Sequence, residues 1–157
     1  MNIEQTIRNY IEPLQHLSLG TSANNIPWVC EVHYAYDEQL NLYFRSKPSR
    51  RHSEDIATNP RVAGNIIKTH GPAEVPAGVY FEGTAKLLRP GPEMELADAV
   101  IRARLSPPGD LIAEAKTEDG HQFYKVTVSN YYFFGRIDSG PVSKNLLSWN
   151  GGARAEH

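Results

Sequence analysis

The chain of 157 residues has one cysteine, a near balance of charge and no long apolar run. A lone Cys30 excludes an intrachain disulfide, and with it any zinc site of four cysteines or of two cysteines and two histidines. Cysteine this sparse fits a reducing cytoplasm. Sixteen Lys and Arg against 18 Asp and Glu leave a net charge of -2, so there is no global basic field of the kind that drives broad nucleic-acid binding. No stretch approaches the ~20 apolar residues that span a bilayer, so no membrane segment is expected. Met1–Tyr10 is charged and lacks the apolar centre of a signal peptide. The nucleophile-elbow, zincin, P-loop and dinucleotide-binding signatures are missing, as is any internal repeat.

What is present is the composition of an ordinary folded domain: 40% apolar, 22% charged, with 12 Gly and 11 Pro. The length suits one domain over residues 1–150. The small, polar stretch 151–157 is expected to be a flexible tail.

Ile3, Ile7, Tyr10, Ile11 and Leu14 recur at helical spacing, with a stop near Pro13. From Ile26 to Asp37 the period changes to two. Ile26, Trp28, Cys30, Val32, Tyr34 and Tyr36 fall on one face, and Val29, Glu31, His33 and Asp37 on the other. After the turn Asp37-Glu38-Gln39, Leu40, Leu42 and Phe44 alternate with Asn41, Tyr43 and Arg45, so the two runs read as a hairpin. Asn24-Asn25 suits a tight turn after Leu17–Thr21. Ser49–Thr58 is helix-compatible, with Ser49 as N-cap and Asn59-Pro60 as stop. Strands are expected at Val62–Ile66, at Val79–Leu87 (with a bulge or close approach at Gly83) and over His121–Gly135. Residues 69–78 read as loop, and helices are expected over Pro90–Arg104 and Leu111–Ala115. About six strands in meander order with helices between them predict an α+β, mostly β domain: an antiparallel, closed or half-closed six-stranded barrel with flanking helices.

The segment Tyr43–His52 is the richest in chemistry. It crosses from a strand end into a helix start, where backbone amides are free and the helix dipole is positive. Arg45, Lys47, Arg50, Arg51 and His52 gather there, with hydroxyls at Ser46 and Ser49. Guanidinium groups can clamp a phosphate with two donors each, so the segment suits a phosphate site. It equally suits a solvated basic loop. Glu31, His33 and Tyr43 lie on the parity opposite the apolar stripe, either as a solvent face or as a ligand wall next to Phe44 and Arg45. Cys30, on the apolar parity, reads as a small buried hydrophobe and not as a nucleophile.

In order and spacing these segments resemble the FMN-binding split barrels related to pyridoxamine 5'-phosphate oxidase. The resemblance is carried by Asn25-Ile26-Pro27-Trp28-Val29-Cys30-Glu31-Val32-His33-Tyr34, by Leu42-Tyr43-Phe44-Arg45-Ser46, by Ser49-Arg50-Arg51-His52, by Asn59-Pro60-Arg61-Val62-Ala63, and by Phe81-Glu82-Gly83-Thr84-Ala85. Arg51-His52 is also similar to the Arg-His pair of a smaller, uncharacterised bacterial branch. The resemblance implies a split β-barrel that forms a homodimer with FMN in a groove between subunits. Glu31, Val32, His33, Phe44, Arg45 and Ser46 would run along the flavin, and Arg50 and Arg51, with Ser49 and His52, would hold its phosphate. Arg45 or His33 near the pyrimidine edge would favour the reduced flavin. Cys30 and Gly78 stand where the parent enzymes carry Arg and Gln.

The function implied is a flavin-dependent oxidoreductase acting on a small organic substrate, in which the cofactor carries the redox chemistry and no side chain serves as nucleophile or general base. The alternative on the same barrel is a non-catalytic flavin or heme carrier or sensor. A barrel that binds a nucleotide or RNA end is a third reading, which the charge balance disfavours.

Overall fold

Asn24 and Asn25 both adopt the left-handed conformation, with φ of 51° and 62°, and so form the tight turn whose twist matches a hairpin. The turn joins β1 (His16–Ala23) to β2 (Ile26–His33), which pair along their whole length. The computed structural model describes residues 1–150 and 153–154. Its other elements are α1 (Ile3–Ile11), β3 (Ala35–Tyr36), β4 (Leu42–Ser46), α2 (Arg51–Thr58), β5 (Arg61–Ile66), β6 (Gly78–Leu87), α3 (Pro92–Leu105), α4 (Leu111–Ala115), β7 (Gln122–Arg136), β8 (Val142–Asn150) and β9 (Ala153–Arg154). Of the tail expected over 151–157, only β9 is described; the rest lies outside the described residues.

The strands form one antiparallel, curled sheet in the order β2-β1-β5-β6-β7-β4-β3, with β8 added to β7 and β9 to β8. This is the half-closed, mostly β barrel that the sequence predicts, with more strands than six. Two causes account for the excess. The long alternating run Ile26–Asp37 breaks at Tyr34, so that β2 pairs with β1 while β3 pairs with β4. The segment after Gly140, which carries no clean period-two pattern, becomes β8 on the edge of β7 and the short β9 paired to β8. The expected hairpin between the 26–37 run and the 40–45 run is therefore confined to Ala35↔Tyr43 and Tyr36↔Leu42.

The main core lies inside the curl, where Leu17, Leu19, Phe44, Ile66, Phe81, Val126 and Tyr131 meet Ile7 and Ile11 of α1. A second cluster forms on the outside of β4, where Met94, Ala97 and Ile101 of α3 and Leu111 of α4 cover Tyr43 and Phe123. Both faces of β4 are thus buried, which removes the alternation a half-buried strand shows. It also moves Tyr43 off the predicted ligand or solvent face. Its ring is fully buried, and its hydroxyl donates to Asp37 Oδ2 at 2.8 Å. Among the described residues no helix is long and apolar enough to cross a membrane.

α2 begins at Arg51, one residue later than a Ser49 cap predicts, with Arg50 and not Ser49 at the N-cap. The reason is the turn around Pro48, closed by Arg50 N–H donating to Lys47 O at 3.0 Å, which uses Ser49 as a turn residue. Thr21 Oγ1 donates to Asp55 Oδ2 at 2.8 Å in the interior and ties α2 to β1.

Candidate functional site

β2 and β4 stand near the two ends of the strand path. The edge of β2 away from β1, and the edge of β4 beyond Tyr43, have no strand partner among the described residues. Between these edges lies a cleft of about 540 Å³, within the range of small-molecule sites. Glu31, Val32 and His33 line one side, and Phe44, Arg45 and Ser46 the other. Lys47, Arg50 and His52 close the end where β4 runs into α2, and Ile101, Leu105, Pro107 and His121 form the remaining wall.

Eight of the ten predicted residues therefore meet around one cavity. Ser49 and Arg51 do not line it. The two arginines diverge, because successive positions at a helix start point about a quarter-turn apart or more. Arg50 faces the cleft, while the Arg51 guanidinium lies over the Trp28 ring, 4.1 Å from its centroid.

Phe44 stacks on Tyr124, with ring centroids 5.1 Å apart and planes 7° apart, and forms an apolar base. Ser46 Oγ and His52 Nε2 lie 2.6 Å apart in a buried contact. Burial first, and Arg50 second, hold the His52 pKa below 6.5, with Asp55 acting the other way. His52 is therefore held toward its neutral form, and the positive charge at this end of the cleft comes from Arg50 and Lys47. No side chain caps α2, in contrast to Asn2 on α1 and Asp110 on α4.

Arg45 pairs with Glu114 of α4, which also accepts from the His121 amide at 3.1 Å and contacts His121 Nδ1 at 2.8 Å. These contacts, those from His121 foremost, pull the Glu114 carboxyl down to about 2. Arg45 Nε is buried and has no hydrogen-bond partner among the described residues. A buried cationic N–H without an acceptor is costly. Cys30, two residues from Val32 on the same parity, is half-buried. Burial, with a smaller push from Glu31, raises its thiol to about 11, which fits an inert side chain.

The wall formed by Ile101, Leu105, Pro107 and His121 was not foreseeable from local pattern. It arrives by tertiary packing of α3, α4 and the start of β7. The only sequence trace of it is the apolar stripe of the 90–104 helix, which reads as core.

No family model matches the chain. Among curated proteins it is similar to the UPF0306 proteins of Yersinia pseudotuberculosis and Yersinia pestis, with 26% identity over 83 residues, covering 52% of this chain. The chain spans only 56% of the length of those relatives. Among solved structures it superposes on a heme binding protein from Mycobacterium smegmatis (TM-score 0.70, 17% identity, 92% of this chain and 56% of that one). It also superposes on a FAD-binding protein from Mesorhizobium loti (0.66, 21%, 85% and 94%). A third match is a Listeria innocua protein named for an inferred pyridoxamine 5'-phosphate oxidase activity (0.63, 19%, 83% and 96%). The chain has the pyridoxamine 5'-phosphate oxidase-like split-barrel fold. In this split barrel the split is the gap between β2 and β4, and the cleft lies in it.

Proposed function

We propose that this split barrel binds FMN in the cleft between β2 and β4 and serves as a flavin-dependent oxidoreductase in the cytoplasm, acting on a small organic substrate. The observation that carries the reading is the composition of one end of the cleft: Arg50 and Lys47 stand beside a helix start that no side chain caps. Free amides, dipole and two cations favour a phosphate dianion there. The flat, apolar Phe44 and the wall of Ile101, Leu105 and Pro107 suit a planar ring system. The Arg45 guanidinium on the cleft wall suits a carbonyl on the ring's edge.

Bound FMN would supply the electron and hydride chemistry. The chain's own part is to hold and orient. Arg50, Lys47 and the α2 amides would anchor the phosphate, and Arg45, fixed by Glu114, would present its guanidinium to the ring edge. Ser46 and His52 keep a neutral, hydrogen-bonded base to the pocket. His33 stands on the β2 side as a hydrogen-bond donor.

The outer end of β2 supports a homodimer that completes the groove. Ile26, Trp28 and Val29 are 57%, 40% and 64% exposed, an apolar cluster on a free strand edge of the kind that marks association surfaces.

The test is an absorbance spectrum of the purified protein, followed by FMN titration of the wild type and of Arg50→Ala. Flavin bands with saturable binding, weakened in the variant, are expected. No flavin uptake by the dimer would overturn the reading. A Soret band in place of flavin bands would favour the heme carrier instead, a reading supported by the three histidines on the cleft wall, His33, His52 and His121.

A further inference from the structure

Of the six histidines in the chain, two face each other across a strand pair. His16 of β1 is opposite His33 of β2, and their rings lie with centroids 4.1 Å apart, tilted by 45°. Both are exposed. The histidines that make hydrogen bonds among the described residues are His52, His70 and His121, so the ring nitrogens of His16 and His33 are free. On the next rung Ser18 is opposite Glu31, and the Ser18 hydroxyl donates to the Glu31 carboxylate. Residues two apart on a strand share a face, so Glu31 stands on the same side as His33 and biases the local field toward a cation.

We propose that His16 and His33 form a two-imidazole clamp for a late first-row divalent transition ion. Two solvated imidazoles held against each other offer two lone pairs from a preformed pair of strands. Imidazole nitrogens with water in the remaining positions suit Cu²⁺, Ni²⁺ and Zn²⁺. Metal–nitrogen bonds of about 2.0–2.1 Å require donor atoms about 3 Å apart, which χ rotations reach from a cross-strand pair whose Cβ atoms are about 5 Å apart. Among the described residues no three His, Cys, Asp or Glu side chains converge on one point, so the ion keeps open, exchangeable positions. Because His33 also lines the cleft, the ion sits at the cleft's rim. The proposal needs no bound flavin, although His33 belongs to both readings.

The experiment is a Cu²⁺ titration of tag-free, metal-stripped protein, followed by calorimetry and by electron paramagnetic resonance. The wild type should bind one ion with the superhyperfine pattern of two imidazole nitrogens. His16→Ala and His33→Ala should each lose about a hundredfold in affinity, the chelating second arm being gone, and show a one-nitrogen pattern. His70→Ala should match the wild type. Unchanged binding in both clamp variants, or absence of binding in the wild type, would overturn the proposal. Circular dichroism checks that each variant is folded, and the readout needs no flavin, so its failure leaves the flavin reading untouched.

Discussion

Ser46 Oγ and His52 Nε2 lie 2.6 Å apart at the base of the cleft, both side chains buried. Because burial and Arg50 disfavour the imidazolium, the folded pKa of His52 lies below the ordinary 6.5. The unfolded chain therefore takes up this proton first. Stability is full above about pH 6.5, falls as the pH drops toward the folded value, and levels below it. His52→Gln keeps a hydrogen-bonding group and removes the titration. Its urea midpoint should consequently change less than that of the wild type between about pH 8 and about pH 5. Parallel curves for the two proteins would show that His52 does not titrate differently on folding.

Arg50 and Arg51 are neighbours with different surroundings, one on the cleft and the other over Trp28. Arg50→Ala should weaken FMN binding by about 1.5–3 kcal/mol, roughly tenfold to a hundredfold, as expected for loss of a charged hydrogen-bond donor. Arg51→Ala should cost less than about threefold, since its charge acts on the phosphate only from a distance. Fluorescence titration of FMN reads both. Equal losses would place Arg51 in the phosphate site after all.

Much of the architecture was legible because the relevant signals are local. Asn24-Asn25 announces its turn, the alternation of 79–87 and of 121–135 announces β6 and β7, and the Arg-rich strand-to-helix junction announces one end of the cleft. What was not legible depends on long-range packing. Tyr43 alternates as a surface residue and is buried because α3, some fifty residues later in the chain, lies over it. Pro48 redirects the turn and shifts the helix N-cap from Ser49 to Arg50. That Arg50 and Arg51 part company depends on where that helix starts, and the wall formed by Ile101, Leu105 and Pro107 depends on how α3 docks.

Gly83 is a position where local reading and three-dimensional structure agree. The β6–β7 register shifts between Glu82 and Gly83, and a Cβ at Gly83 would stand 2.2 Å from Thr127 O, a backbone atom that cannot swing aside. Gly83→Ala should therefore destabilise the protein by about 2–3 kcal/mol, at the upper end for a forced fit. Chemical denaturation measures this. A loss under about 0.5 kcal/mol would mean that the bulge relaxes freely.

Arg104 makes the strongest case for a side chain that holds elements together without touching the cleft. From α3 its Nε donates to Tyr34 O at 3.2 Å, and its Nη2 donates to Ile11 O at 3.1 Å and to Leu14 O. Its guanidinium also lies 4.9 Å and 4.8 Å from the ring centroids of Tyr34 and Tyr36. One planar group thus joins the end of α1, the break between β2 and β3, and α3. Ile11 O still accepts from the Leu14 amide at 3.2 Å and the Tyr34 hydroxyl at 2.7 Å, so the loss of the donor falls mainly on Tyr34 O and Leu14 O. Lysine keeps the charge but presents a point donor that cannot fork to several acceptors or stack flat on two rings. Arg104→Met should cost about 3 kcal/mol, and Arg104→Lys should recover less than half of it. Urea unfolding of the two variants decides the matter. Full recovery by lysine would reduce the role of Arg104 to charge alone, and a loss in neither variant would mean that the break at Tyr34 is held by the surrounding core.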